Sequence, residues 1–180
     1  MATPKFNADR LIGISAFIIS LGTFAIYIYE ASLMRQQAEL TRKQQFASVL
    51  PYLMTGISYP GKGSFKLVLV NKGLGPAFVK EIRLIYDGKK YEGDPHGFYV
   101  RFIQPKDTSF GFMYTNVTPG RVIPAGEMIE LIAIQDDPHS QQKAGEWFGS
   151  QKAKLEIVYA SVYDEKWKLT GFEGQPQKLE

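Results

Sequence analysis

The chain has 180 residues, 21 basic against 18 acidic side chains, a formal net charge of +3, and no cysteine. That length suits one ordinary domain plus an appendage, and the charge balance argues against a broad nucleic-acid-binding surface. Without cysteine there are no disulfides to stabilise a fold and no thiolates to bind zinc or iron. Residues 1–49 hold five basic and three acidic residues, so the rest of the chain is nearly neutral at 16 against 15.

The amino tail, residues 1–10, carries Lys5 and Arg10. Leu11 to Tyr29 follows, nineteen residues without a charge (LIGISAFIISLGTFAIYIY), closed by Glu30. At about 1.5 Å per residue such a helix crosses a hydrocarbon core of roughly 30 Å, which predicts a transmembrane helix over 11–29 and membrane lipid as a partner. A cleaved secretory signal fits less well. The run is longer than a signal core, and no small-x-small site follows Tyr29. Tyr27 and Tyr29 suit a membrane–water boundary. A buried core helix is the third reading. Lys and Arg favour the cytoplasmic side, but Lys5 and Arg10 nearly balance Arg35, Arg42 and Lys43. The expectation is a cytoplasmic (inner) membrane location with the carboxyl-terminal domain in the cytoplasm.

Gly13, Ala16, Ser20 and Thr23 fall at spacings of three and four and share one side of that helix. Small residues let helices approach closely in lipid, so this stripe is the candidate helix–helix or pore face of a homo-oligomer. Gly, Ala, Ser and Thr are also common in membrane helices that do not associate. Residues 30–50 contain neither Gly nor Pro and predict a helical stalk continuing the span. Leu33, Leu40 and Ala47 repeat every seven residues in phase with Ile26. The positions three residues on, Tyr29, Gln36, Lys43 and Leu50, are mostly polar, so that pairing gives no strict leucine-zipper seam. Pro51 ends the helix.

From residue 51 to 173 the pattern changes to short runs of Val, Ile, Tyr and Phe between Gly, Pro and Asp turns, which predicts an all-β sandwich or barrel. Strands are expected at Tyr52–Ser58, Phe65–Val70, Phe78–Tyr86, Lys89–Glu92, Ser109–Asn116, Met128–Ile134, Lys154–Val162 and Lys166–Phe172. Asp87-Gly88 is a strong hairpin turn and Asp164-Glu165 a weaker one. Gly93–Lys106 reads as a long loop with an extra strand at Phe98–Ile103. Pro138–Ser150 reads as a short helix, and residues 174–180 as a frayed tail.

Phe65–Lys90 (FKLVLVNKGLGPAFVKEIRLIYDGKK) resembles the strand, Asn-x-Gly, strand, Asp-Gly opening of bacterial immunoglobulin-like modules. Ile123–Leu131 (IPAGEMIEL) resembles the Pro-x-Gly-Glu turn before a later strand of those modules. The resemblance implies an immunoglobulin-like fold and no particular activity. The whole layout of tail, span, stalk and β domain is similar to small membrane effectors of bacterial anti-phage systems. These include the membrane–β-barrel effectors of cyclic-nucleotide defence and the Hailong-type membrane partner. That likeness implies a β domain receiving a nucleotide-derived signal or a regulatory protein, and spans that assemble to breach the membrane.

Acid–base chemistry is thinly supplied. His96 and His139 both sit in Asp-Pro-His, which reads as a turn. Gly61-Lys62-Gly63-Ser64 and Gly73-Leu74-Gly75 lack the spacing and the following helix of phosphate-binding loops. Asp136 and Asp137 match no calcium loop. No catalytic residue, metal ligand or cofactor is therefore expected. Lys72, Lys80, Arg101 and Arg121 lie near turns and aromatic residues, where a small anionic ligand would find charge and a stacking surface. Solvated strand-end charges are the plainer account of the same four. Two functional readings result: a non-enzymatic oligomeric membrane effector, and a membrane-tethered interaction scaffold without pore activity.

Overall fold

A computed structural model describes residues 8–106, 108–109, 111–149, 152–172 and 174–179. The tail residues before Ala8, Lys5 among them, lie outside the described residues, as do Phe110, Ser150, Glu173 and Glu180 of the expected elements. The chain forms two compact units, residues 1–45 and 46–180.

The first unit is most of one helix, α1 (Ala8–Ser48), 41 residues without a break. Nothing in its sequence interrupts the backbone ladder, because Gly13 and Gly22 are isolated and no proline occurs between Ala8 and Ser48. Every described side chain from Asp9 to Gln45 is exposed. The last turn tightens into three-residue hydrogen bonds, Val49 N donating to Phe46 O and Leu50 N to Ala47 O. Pro51 then carries the chain into the β unit.

The second unit contains β1 (Leu53–Ser58), β2 (Phe65–Asn71), β3 (Ala77–Tyr86), β4 (Lys89–Glu92), α2 (Pro95–Phe98), a π-helical turn at Tyr99–Ile103, β5 (Met113–Tyr114), β6 (Val122–Ile123), β7 (Met128–Ile134), α3 (Pro138–Phe148), β8 (Ala153–Ala160), β9 (Lys166–Thr170) and β10 (Gln177–Lys178). One antiparallel sheet has the order β1-β2-β7-β5, the other β10-β9-β8-β3-β4, with β6 added to β3. Neither sheet closes on itself. Alternate residues of both supply one core: Phe65, Leu67 and Leu69 of β2 with Leu131 of β7 from one side, Leu84 of β3, Leu155, Ile157 and Tyr159 of β8 and Leu169 of β9 from the other. Each such side chain removed from water contributes roughly 1.5–3 kcal/mol. The architecture is a β-sandwich preceded by a long apolar helix.

Turn chemistry holds where it is strongest. Asp87 (φ 50°) and Gly88 (φ 77°) take the left-handed conformations of a two-residue hairpin, and Asp164 (φ 59°) turns β8 into β9. Four expectations fail. Phe98–Ile103 is helical, because its buried residues Phe98, Tyr99 and Ile103 follow helical spacing while Val100 and Arg101 face water. The strand expected at Ser109–Asn116 shrinks to Met113–Tyr114, paired only with Ala133 and Ile132 of β7. The tail expected to fray instead adds β10, with Gln177 opposite Lys168 and Lys178 opposite Trp167. Both Asp-Pro-His segments, read as turns, start helices, the second being the short helix expected from Pro138. Asp94 and Asp137 are N-caps and the prolines occupy the first turn, where a missing N–H costs nothing.

One buried side chain joins the helix exit to the sandwich. Asn71, fully buried, accepts from Tyr52 N (3.1 Å) and Gly73 N (3.0 Å) and donates to Gly75 O (2.8 Å) and Ile123 O (3.0 Å). All of its amide capacity serves backbone groups.

Candidate functional site

The first candidate surface is α1 itself. It is the one helix among the described residues long and apolar enough to cross a membrane, and none of its apolar segment is buried by the rest of the chain. Gly13, Ala16, Ser20 and Thr23 lie within an arc of about 80° of one face, at 3.6 residues per turn. A side chain added at Gly13 would meet nothing within 4 Å, so that position is open to a neighbour. The hydroxyl of Thr23 donates to Ile19 O (2.8 Å) and that of Ser15 to Ile12 O (2.9 Å). Hydroxyls satisfied on their own backbone carry no desolvation penalty into an apolar contact.

The second candidate set, the four basic residues, comes from four segments of the β unit, two of which run side by side where Val79 N donates to Arg121 O at 2.9 Å. Lys72 follows β2 in an exposed turn, its backbone N–H bonded to Tyr52 O at 2.8 Å. Lys80, at an irregularity of β3, pairs with Asp164 (3.3 Å). Arg101 is exposed on the π-helical turn. Arg121 donates through Nη1 to Asn116 O (2.7 Å) and through Nη2 to Glu127 Oε1 (3.2 Å), which ties the 116–127 segment together. Two of the four are thus engaged by acidic partners, and neither of the two hollows described below is lined by any of them.

The structure instead opens a groove of about 200 Å³ that the basic residues do not predict. It is lined by His96, Tyr99, Gln104, Gly111, Phe112 and Tyr114, together with Val100. The capped start of α2 presents His96. Asp94 Oδ1 accepts from Gly97 N (2.9 Å) and Oδ2 from Val117 N (2.9 Å), so one buried carboxylate fixes α2 and the segment opposite it. The His96 ring stacks on Tyr114 with centroids 3.4 Å apart and planes 9° from parallel, and its Nδ1 lies 3.0 Å from Asn116 Oδ1. Phe112 packs edge-on against Tyr99 at 4.6 Å. The density of Phe and Tyr over residues 98–114 is the sequence signal for this wall. The same residues fit a loop and a strand equally well by local pattern, so the wall shows only once the chain is folded.

A second hollow of about 350 Å³ shares Gly111 and Phe112 with this groove and reaches Ile134 and Asp137. Asp137 accepts from the hydroxyl (2.5 Å) and backbone N–H (3.1 Å) of Ser140 and from His139 N (3.1 Å). The Ser140 hydroxyl, followed by these backbone donors, holds the carboxyl below its usual range. His139 Nε2 faces Ser109 Oγ at 3.2 Å, a different serine from the one at the carboxylate. The Asp137 carboxylate is therefore engaged as the cap of α3 rather than bonded to the His139 ring. Among the described residues no three His, Cys, Asp or Glu side chains come together as a metal site. Glu156, almost buried on the outer face of its sheet, is neutralised by Arg83 Nη1 (3.3 Å) and Lys168 Nζ (2.6 Å) across three strands.

Comparison with known proteins gives no match to a family model, a curated protein or a solved structure.

Proposed function

We propose that the chain is a non-enzymatic, membrane-anchored protein that self-associates through α1 and uses its β-sandwich to receive a partner. The observation that carries this reading is the complete exposure of an uncharged nineteen-residue helical run beside a domain that already has a closed core of its own. Such a surface is stable only in lipid or against other helices. A cytoplasmic β domain at the inner membrane is the orientation adopted in this reading, Arg35, Arg42 and Lys43 after the span outnumbering Lys5 and Arg10 before it by a single residue.

The β domain is read as immunoglobulin-like. Its orders β1-β2-β7-β5 and β9-β8-β3-β4 correspond to the A-B-E-D and G-F-C-C′ sheets of that fold. Such sandwiches serve as recognition modules on many unrelated proteins, and the carboxylates of Asp94 and Asp137 are engaged as helix caps, so neither orients the one His–Ser contact described above, His139 with Ser109. A protein partner has better support than a nucleotide-derived anion, because Lys80 and Arg121 are already engaged.

In the effector form of this reading, clustered spans perturb the membrane, as the likeness in layout to anti-phage membrane effectors implies. High expression without a restraining partner then dissipates membrane potential. Gly13→Leu or Ser20→Leu abolishes that effect while leaving the chain membrane-bound. A potential-sensitive dye with membrane fractionation reads both outcomes. An unchanged potential at high expression removes the effector form and leaves the tethered scaffold, identified by a co-purified partner without any conductance.

A further inference from the structure

The unbroken backbone of α1 keeps one helical phase from span to stalk, so its faces can be followed along its whole length. The seven-residue repeat at Leu33, Leu40 and Ala47 extends backwards through Ile26 and Ile19 to Ile12. Its partner row lies four residues on rather than three: Ala16, Thr23, Glu30, Gln37 and Gln44. Together the two rows alternate at spacings of four and three, the geometry of a coiled-coil seam in which the Ile/Leu row takes the d positions and the other row the a positions.

The remaining residues sort around this seam by a different property in each half of the helix. Through the first three turns of the span, the flanking positions hold Gly13, Ser15, Ser20 and Gly22, with Phe17 and Leu21 on the far side; at its boundary the flanks change to Tyr27 and Tyr29, with Phe24 and Ile28 on the far side. Size divides the two faces over those first turns, and close approach requires the small one inward. In the stalk, Arg35 and Arg42 occupy the position farthest from the seam. Charge divides the faces there, and water requires the charged one outward. Two solvents with unrelated demands select the same face.

We propose that this face pairs with further copies of the same chain, as a parallel, in-register bundle running from Ile12 to Ala47. The proposal rests on the self-association in the reading above and adds its seam, direction and register. A heterologous partner would need the same repeat through both lipid and water, whereas a second copy has it by construction. The flanks also carry no charge code for a different partner. Lys43 is their one charged residue, and it is paired within its own helix to Glu39 at 2.8 Å. In register, Gln37 and Gln44 each meet their own copies and exchange amide hydrogen bonds, the kind of polar layer that fixes alignment. A repeat of 3.5 residues per turn, below the 3.6 of a straight helix, winds the bundle left-handed. Glu30, the one charged seam residue, gathers into a carboxylate ring where the uncharged run ends, a feature that attracts cations and weakens assembly by mutual repulsion.

The described chain contains no cysteine, so single thiols report directly on the seam. Leu33→Cys, Leu40→Cys, Arg35→Cys and Arg42→Cys are each introduced into the full chain, expressed in membranes and oxidised. The expected result is conversion of most of the chain to disulfide dimer at 33 and 40, with 35 and 42 remaining monomeric. Dimer at 35 and 42 with monomer at 33 and 40 would overturn the seam while self-association stood. Monomer at all four, with no energy transfer between labelled copies in the same membranes, would remove both. Adding Glu30→Gln to Leu33→Cys raises the dimer yield by removing the repulsion, and a fall in yield would overturn the in-register placement.

Discussion

At the scale of single residues, the sandwich depends on polar groups that work for the backbone. Asn71 bonds four main-chain groups around the helix exit and the β6 turn. Asn71→Ala leaves several of them buried and unpaired, at about 1–3 kcal/mol for each one not reached by water. We expect a loss of about 3 kcal/mol or more in chemical denaturation of the detergent-solubilised chain. Tyr159 acts across the two sheets. Its side chain is fully buried, and Leu53 N donates to its hydroxyl oxygen at 3.3 Å. Burial pushes the phenol up to about 12 from its ordinary value of 10, although the Leu53 N–H bond pulls the other way. The folded state therefore holds this proton more tightly than the unfolded one. The resulting stability is fully present below pH 10 and is lost as the pH rises toward 12. Denaturation midpoints should fall through that window in the wild type. In Tyr159→Phe the fall should be smaller by the contribution of this one group.

At the scale of elements, the join between helix and sandwich is a crossing of two backbones. Leu74 N and Gly75 N both donate to Leu50 O, at 2.9 and 3.3 Å. A Cβ on Gly75 would overlap the Val49 carbonyl, and one on Gly73 would overlap Leu50 O and Tyr52 N. All of these obstacles are main chain, so no side-chain rotation relieves them. Gly75→Ala should push the 71–77 loop off the helix exit and lower the thermal midpoint by several degrees, since about 1 kcal/mol shifts a domain of this size by 2–8 °C. Gly88→Ala, where nothing lies within 4 Å, controls for simple loss of glycine, although its positive φ adds some strain of its own. The last helical turn belongs to the sandwich as well, since Phe46 packs on Tyr163 with ring centroids 4.5 Å apart. Elements with strong local signals were legible in advance: the uncharged run, the Asp-Gly hairpin and the Val/Ile-rich strands. Phe98–Ile103 was not, because six residues of mixed aromatic and aliphatic character fit both a strand and a helical turn. There the Asp94–Pro95 cap decides, and its partner Val117 is more than twenty residues away.

At the scale of the whole molecule, the division into an exposed apolar helix and a β-sandwich was determined by the sequence alone. A nineteen-residue uncharged run and a later change of hydrophobic period are local properties that no tertiary contact needs to create. The heptad seam is also written in the chain, but its phase has meaning only because α1 runs unbroken from span to stalk. What the tertiary structure alone decided was which distant segments meet. It brought β1-β2-β7-β5 into one sheet, folded the terminal residues back as β10, and placed His96, Tyr99, Phe112 and Tyr114 around one groove. It also gave Lys80 and Arg121 acidic partners, Asp164 and Glu127, that their positions near turns do not reveal. The physical reason is that helix and strand signals come from neighbours a few residues apart. Sheet order, buried polar bonds and cavity walls depend on pairings tens of residues apart, which are settled only when both sheets bury their apolar faces in a common core.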